Sequence, residues 1–157
     1  MIKIGLIGSP ITHSLSPQIH NGFIKSAGMS GCYELFEMDQ LPPEGLRAFM
    51  VDKGLTGLNI TIPFKESVLK ELDEVDASAK ELGAINTVVF ENQKLVGYNT
   101  DVYGIAASID ELNIAPCKTL VFGSGGASKA VVNILVVRGF TPIVVNRTSS
   151  STTYDNL

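Results

Sequence analysis

Hydrophobic positions fall into short runs separated by polar turns, and their period alternates along the chain. Residues 2–7 form a mostly apolar run closed by Gly8-Ser9-Pro10, the pattern of a buried strand that leaves its sheet for a loop. Ser16 is then placed as an N-cap with Pro17 at the first helical position. Ile19, Phe23 and Ala27 follow on one face, and Gly28 supplies the stop. Residues 32–38 read as a strand, 43–53 as a helix, 55–62 as a strand and 63–72 as a helix, so a largely parallel α/β sheet is expected.

Residues 84–90 and 94–99 are two extended runs joined by Glu91-Asn92-Gln93, a connection that suits a hairpin added to that sheet. The first domain is expected to span 1–101. A helix over 102–112 and a boundary around Pro116 lead into a second domain over 102–157, which opens with a strand at 119–122. Gly123-Ser124-Gly125-Gly126, a helix over 127–138 closed by Gly139, and a strand at 142–145 make this the beginning of a Rossmann-type dinucleotide-binding domain. Residues 149–153 are a hydroxyl-rich run without apolar period.

Composition narrows the function classes. With 157 residues, 45% hydrophobic and 18% charged, the chain can bury one substantial core or two small ones. A formal net charge of −4 argues against a nucleic-acid partner, since phosphate backbones call for clustered Lys and Arg. The opening apolar run is too short for a membrane span or a signal-peptide core, so no membrane partner and a cytoplasmic address are expected. Cys32 and Cys117 match no metal or redox spacing and are expected to be buried thiols; no metal is called for.

Candidate chemistry collects at expected strand ends and helix starts. A glycine loop between strand and helix lets backbone N–H groups approach a pyrophosphate, which a Cβ would hold away, and Gly123, Gly125 and Gly126 meet that need beside Ser124 and Ala127. Ser128 replaces the third fingerprint glycine. After the second strand, Asn146-Arg147-Thr148 stands where an NAD site carries an acidic residue; a guanidinium there suits a 2′-phosphate and hence NADP.

In the first domain, Ser14 and Ser16 put two hydroxyls on one side of an extended segment, although Ser16 is equally explained as a cap. Asn59 and Thr61 alternate along a strand and share a face, with backbone groups or a bound polyol as partners. Lys65 alone reads as a surface residue on the first helical turn after Pro63, and Asp101 alone as a helix cap. Together they supply hydroxyls, amides, an ammonium and a carboxylate, which favours a polar small-molecule site.

Ser14-Leu15-Ser16-Pro17, the segment from Gly57 through Asn59, Thr61 and Pro63 to Lys65, Gly83-Ala84-Ile85-Asn86-Thr87-Val88 and Gly97-Tyr98-Asn99-Thr100-Asp101 occur in that order. Together with the glycine loop and Asn146-Arg147-Thr148, they resemble the motifs of the shikimate dehydrogenases over residues 1–148. The resemblance implies reversible reduction of 3-dehydroshikimate to shikimate with NADP as cofactor. It implies Lys65 and Asp101 as the catalytic pair, with Lys65 exchanging the proton of the reacting oxygen. Ser14 and Ser16 are implied at the substrate carboxylate, and Asn59, Thr61, Asn86 and Asp101 at ring hydroxyls.

Family members are longer, with a cofactor domain that continues and a late segment that returns to the substrate. A fragment or truncated product is therefore expected, with apolar faces of the last helix uncovered. Two other readings stand beside it: a non-catalytic shikimate-binding fragment, and a quinate/shikimate dehydrogenase using NAD, against which Arg147 argues. A homodimer is left open.

Overall fold

The computed structural model describes residues 1–80 and 82–146 and divides the chain into two compact units, Met1–Asn99 and Thr100–Leu157. In the first unit β1 (Ile2–Gly8) lies between β2 (Gly31–Glu37) and β3 (Gly57–Ile60), parallel to both. The register sets Ile4 opposite Tyr33 and Gly57, and Leu6 opposite Leu35 and Asn59. With β4 (Glu74–Val75), β5 (Thr87–Glu91) and β6 (Lys94–Tyr98), the sheet has six strands in the order β2-β1-β3-β5-β6-β4. β5 is antiparallel to β3 and β6, whereas β4 pairs parallel to β6.

The expected hairpin is present. Its turn is two residues, Asn92 and Gln93, at φ 48° and 65°, with Glu91 paired to Lys94. That mirror-image turn matches the right-handed twist of the strands it joins.

One sheet face carries the main core: Ile7, Leu58, Ile60, Val88 and Leu95 pack with Leu46, Phe49 and Met50 of α2 (Leu46–Lys53) and with Phe64 and Val68. The short helix α3 (Ala77–Lys80) adds Ala79 to the same cluster. The other face is smaller, with Leu6, Ile11 and Tyr33 at its centre, and α1 (Ser16–Ser26) packs against β2. Asn21 makes that attachment: the Tyr33 N–H donates to Asn21 Oδ1 at 2.9 Å, and Asn21 Nδ2 donates to the Tyr33 carbonyl at 3.3 Å. His20 stacks on the Tyr33 ring, with centroids 4.4 Å apart and planes at 6°.

Five local expectations need correction. The stripe of Ile19, Phe23 and Ala27 is not the packed face of α1; Ile24 is buried, while Ile19 and Phe23 are 49% and 65% exposed. The anchors His20 and Asn21 rotate the helix away from that stripe, since each residue turns it by about 100°. Ser16 is the first helical residue rather than the cap, which is Leu15, and Asp101 likewise follows the cap Thr100. The helix expected over 63–72 reduces to a 3-10 turn, Ser67–Glu71. The Lys65 carbonyl, which an α-helix would offer to Leu69, instead accepts the Ile85 N–H at 2.7 Å, and Leu69 N–H turns to Glu66 at 3.4 Å. Cys117 is exposed just ahead of a strand and Cys32 is half-buried, so neither is the expected buried thiol.

The second unit contains α4 (Asp101–Glu111) and a βαβ motif of β7 (Lys118–Phe122), α5 (Gly126–Val137) and β8 (Thr141–Val145), its two strands parallel. Arg138 joins the helices by a fork on Asp110, Nε to Oδ1 at 2.5 Å and Nη2 to Oδ2 at 2.7 Å. Gly139, at φ 82°, closes α5 as expected. Val136 and Val137 of α5 and Leu120 and Phe122 of β7 are exposed. Among the described residues, no helix is long and apolar enough to cross a membrane.

Candidate functional site

The carboxyl ends of β1 and β3 are stitched together by backbone bonds: Thr61 N–H donates to the Ile7 carbonyl at 3.0 Å and Ser9 N–H to the Ile62 carbonyl at 2.9 Å. Gly8 permits this approach. A Cβ there would stand 2.3 Å from Thr61 Cγ2 and 2.8 Å from the Ile62 oxygen, so any larger residue would push Thr61 away. The end of β5 joins the same place, because Ile60 N–H donates to the Asn86 carbonyl at 2.8 Å and Ile85 N–H to the Lys65 carbonyl. The structure thus brings Asn59, Thr61, Lys65 and Asn86 together at one end of the sheet.

Ser14 and Ser16 connect to this group through a residue the sequence did not single out. Ser14 Oγ donates to Ser16 Oγ at 3.1 Å and accepts the Ser16 N–H at 3.2 Å. The Ser16 side chain also acts on the Tyr33 phenol, drawing its pKa down, and the Tyr33 hydroxyl donates to Asn59 Oδ1 at 2.9 Å. Asn59 Nδ2 donates to Thr87 Oγ1 at 3.1 Å and to the Asn86 carbonyl at 3.4 Å. Thr87 Oγ1 in turn donates to Asn86 Oδ1 at 3.0 Å. The result is one hydrogen-bonded chain of polar side chains from Tyr33 to Asn86 across the smaller sheet face, with the Ser14–Ser16 pair beside it. Burial pushes the Tyr33 hydroxyl up to about 12, with the Ser16 side chain acting the other way.

Tyr33 and Thr87 were missed because each reads as an ordinary strand residue. The available signal for Tyr33 was a phenol at a buried strand position, where a hydroxyl requires a partner. Asn99 is buried, 1% exposed, and its Nδ2 donates to the Ala84 carbonyl at 2.9 Å, so it supports the loop that carries Asn86. Asp101 belongs to the second unit, as the first residue of α4.

In the second unit the glycine loop leaves the carboxyl end of β7. Gly123 N–H donates to the Val145 carbonyl at 2.8 Å, and Ser128 Oγ to the Gly123 carbonyl at 2.7 Å. The residue that breaks the expected fingerprint therefore holds the loop's first glycine. Gly123 sits at φ 104° and needs glycine for its own backbone. Gly125 does not: its φ is −78°, and a Cβ would meet nothing within 4 Å. Neither conformation nor internal packing demands glycine there, and the space beside the N-terminus of α5 stays open. Ser124 and Ala127 are exposed on either side. Asn146 follows β8 directly, and Arg147 and Thr148 lie outside the described residues.

Residues 6–88 match the family model described as the shikimate dehydrogenase substrate binding domain. The shikimate dehydrogenase (NADP(+)) of Aquifex aeolicus is 45% identical over 148 residues, covering 92% of this chain and 54% of that protein. Shikimate dehydrogenase 1 of Peptoclostridium difficile superposes with a TM-score of 0.86 at 31% identity, over 98% of this chain and 60% of the other. The shikimate 5-dehydrogenase of Thermus thermophilus, solved with NADP(H) and shikimate, gives a TM-score of 0.80 at 37% identity, over 94% and 57%. The chain thus spans about half the length of the curated relatives it matches. With the motif segments of Asn59, Lys65 and Asn86 inside the matched region, the chain belongs to the shikimate dehydrogenase family.

Proposed function

We propose that this chain carries the substrate-binding and part of the cofactor-binding machinery of an NADP-dependent shikimate dehydrogenase, which reversibly reduces 3-dehydroshikimate to shikimate. The observation that carries the reading is the hydrogen-bonded polar chain from Tyr33 through Asn59 and Thr87 to Asn86, with the Ser14–Ser16 pair beside it and Lys65 tied to the residue next to Asn86. Such a cradle suits a small ligand bearing several hydroxyls and a carboxylate. In this reading Ser14 and Ser16 hold the carboxylate, and Asn59, Thr61 and Asn86 hold ring hydroxyls. Lys65 gives its ammonium proton to the substrate oxygen as the carbonyl is reduced, and Asp101 is its partner in orienting the same group.

NADPH supplies the hydride. Gly123, Ser124, Gly125, Gly126 and Ala127 would hold its pyrophosphate, and Asn146, Arg147 and Thr148 its adenosine 2′-phosphate. The proposal includes a cytoplasmic address, the compartment that supplies NADPH to a biosynthetic dehydrogenase.

Calorimetry with shikimate tests the binding step. Saturable binding is expected, weakened tenfold or more by Asn59→Ala; heat of dilution alone overturns the reading. Turnover is read separately as shikimate-dependent reduction of NADP, with NAD and quinate as competitors. Activity is expected to fall by about 100-fold or more in Lys65→Ala. Preference for NAD or quinate would move the chain to the quinate dehydrogenases, and binding without turnover would make it a binding unit.

A further inference from the structure

The dinucleotide fingerprint calls for glycine at the place Ser128 occupies, and the functional reading above gives Ser128 no part. Its side chain nevertheless makes a directed contact. Ser128 stands on the first turn of α5, and its Oγ reaches back across the loop to donate to the Gly123 carbonyl at 2.7 Å. The N–H of Gly123 is held elsewhere, on the Val145 carbonyl at the end of β8. That bond fixes the peptide that enters Gly123 and does not reach the one that leaves it. Gly123 sits at φ 104° and has no Cβ to restrict its ψ, so the peptide between Gly123 and Ser124 can swing unless something holds its oxygen. Ser128 holds it.

A trans peptide is planar, and its carbonyl and the N–H of the next residue point in opposite directions. With the Gly123 oxygen drawn to Ser128, the Ser124 N–H is turned away from Ser128. We propose that Ser128 is a positioning residue for the cofactor: by holding the Gly123 carbonyl it aims the Ser124 N–H at the pyrophosphate of NADP(H). Ser124 and Gly125 are exposed on the open side of the loop, where a Cβ on Gly125 would meet nothing within 4 Å. The first N–H groups of α5, which have no acceptor within the helix, converge on the same mouth. A glycine in place of Ser128 has no hydroxyl, so the usual fingerprint residue could not give the loop this contact. The inference rests on the functional reading above for the identity of the ligand, and on the bond from Ser128 to Gly123 for the geometry.

The test is Ser128→Ala, which removes the hydroxyl and keeps the helix, alanine being the best helix former. Two ligands are titrated: NADP, and adenosine 2′-monophosphate, which carries the adenine and the 2′-phosphate but no pyrophosphate. NADP is expected to bind the variant at least fivefold more weakly, while adenosine 2′-monophosphate stays within twofold of its affinity for the unsubstituted chain. Equal weakening of both ligands would make Ser128 a structural residue of α5 and overturns the proposal, as does an unchanged affinity for NADP. A ligand-free reading comes from NMR relaxation of the backbone amides. The Ser124 amide should be rigid in the unsubstituted chain, with an order parameter of roughly 0.85, and should fall below about 0.6 in Ser128→Ala. An unchanged order parameter overturns the proposal as well. Failure of the unsubstituted chain to bind NADP sinks the cofactor reading and the ligand assigned here with it, and the relaxation comparison then still decides whether Ser128 sets the peptide.

Discussion

Tyr33 belongs at once to the small core and to the polar chain, and its ionisation links the two. Because burial raises its pKa from the ordinary 10.0 to about 12, the folded state holds the phenol proton after the unfolded state has lost it. The stabilisation is complete below about pH 10 and is lost as pH rises from there to about 12, on the order of 2 kcal/mol over the window. Urea titrations across that range should show the slope in the unsubstituted chain and a flatter profile in Tyr33→Phe. His20, stacked on the same ring, acts on the acid side. Burial lowers its pKa, so stability should decline as pH falls through and below 6.5, and His20→Gln should remove that decline. At this scale the polar residues were legible where they interrupt apolar strands, as Asn59 and Thr61 do. Tyr33 and Thr87 were not, since their role depends on which strands become neighbours, and the order β2-β1-β3-β5 is not written in any one segment.

Two glycines differ in what surrounds them. Gly97, in β6, is required by its neighbours: a Cβ would stand 2.4 Å from Leu72 Cδ1 and 2.9 Å from Ile85 Cδ1. These are side-chain tips that can yield in part, so Gly97→Ala should cost about 1–3 kcal/mol in chemical denaturation. Gly125→Ala should cost no more than about 1 kcal/mol, the ordinary preference for glycine over alanine at an N-cap, since its Cβ would meet open space. The same substitution should weaken NADP binding at least tenfold by calorimetry, and an unchanged affinity would remove the pyrophosphate from that loop. Elements with a complete local signature, such as the hairpin and the strand-glycine loop-helix unit, were readable from the chain alone. The segment after Pro63 was not. Its apolar residues Phe64, Val68 and Leu72 repeat every four positions, yet the distant Ile85 takes the carbonyl that an α-helix would need.

At the scale of the whole molecule, every strand of the six-stranded sheet comes from residues 2–98 and finds its partners there. A chain ended after Asn99 is therefore expected to keep the near-ultraviolet circular dichroism of its aromatic core and to unfold in a single transition. Loss of that signal would show that the second unit is needed to hold the first. The alternation of strands and helices disclosed the α/β class from the outset, whereas the two-residue strand β4 and the four-residue helix α3 carry too few positions to show a period. The continuity of the first unit also bears on how the protein is made. No strand of its sheet has to wait for a segment synthesised after Tyr98, so the sheet can close as the chain emerges from the ribosome. The polar cradle from Ser14 to Asn86 would then be assembled while the nucleotide-binding loop is still being translated.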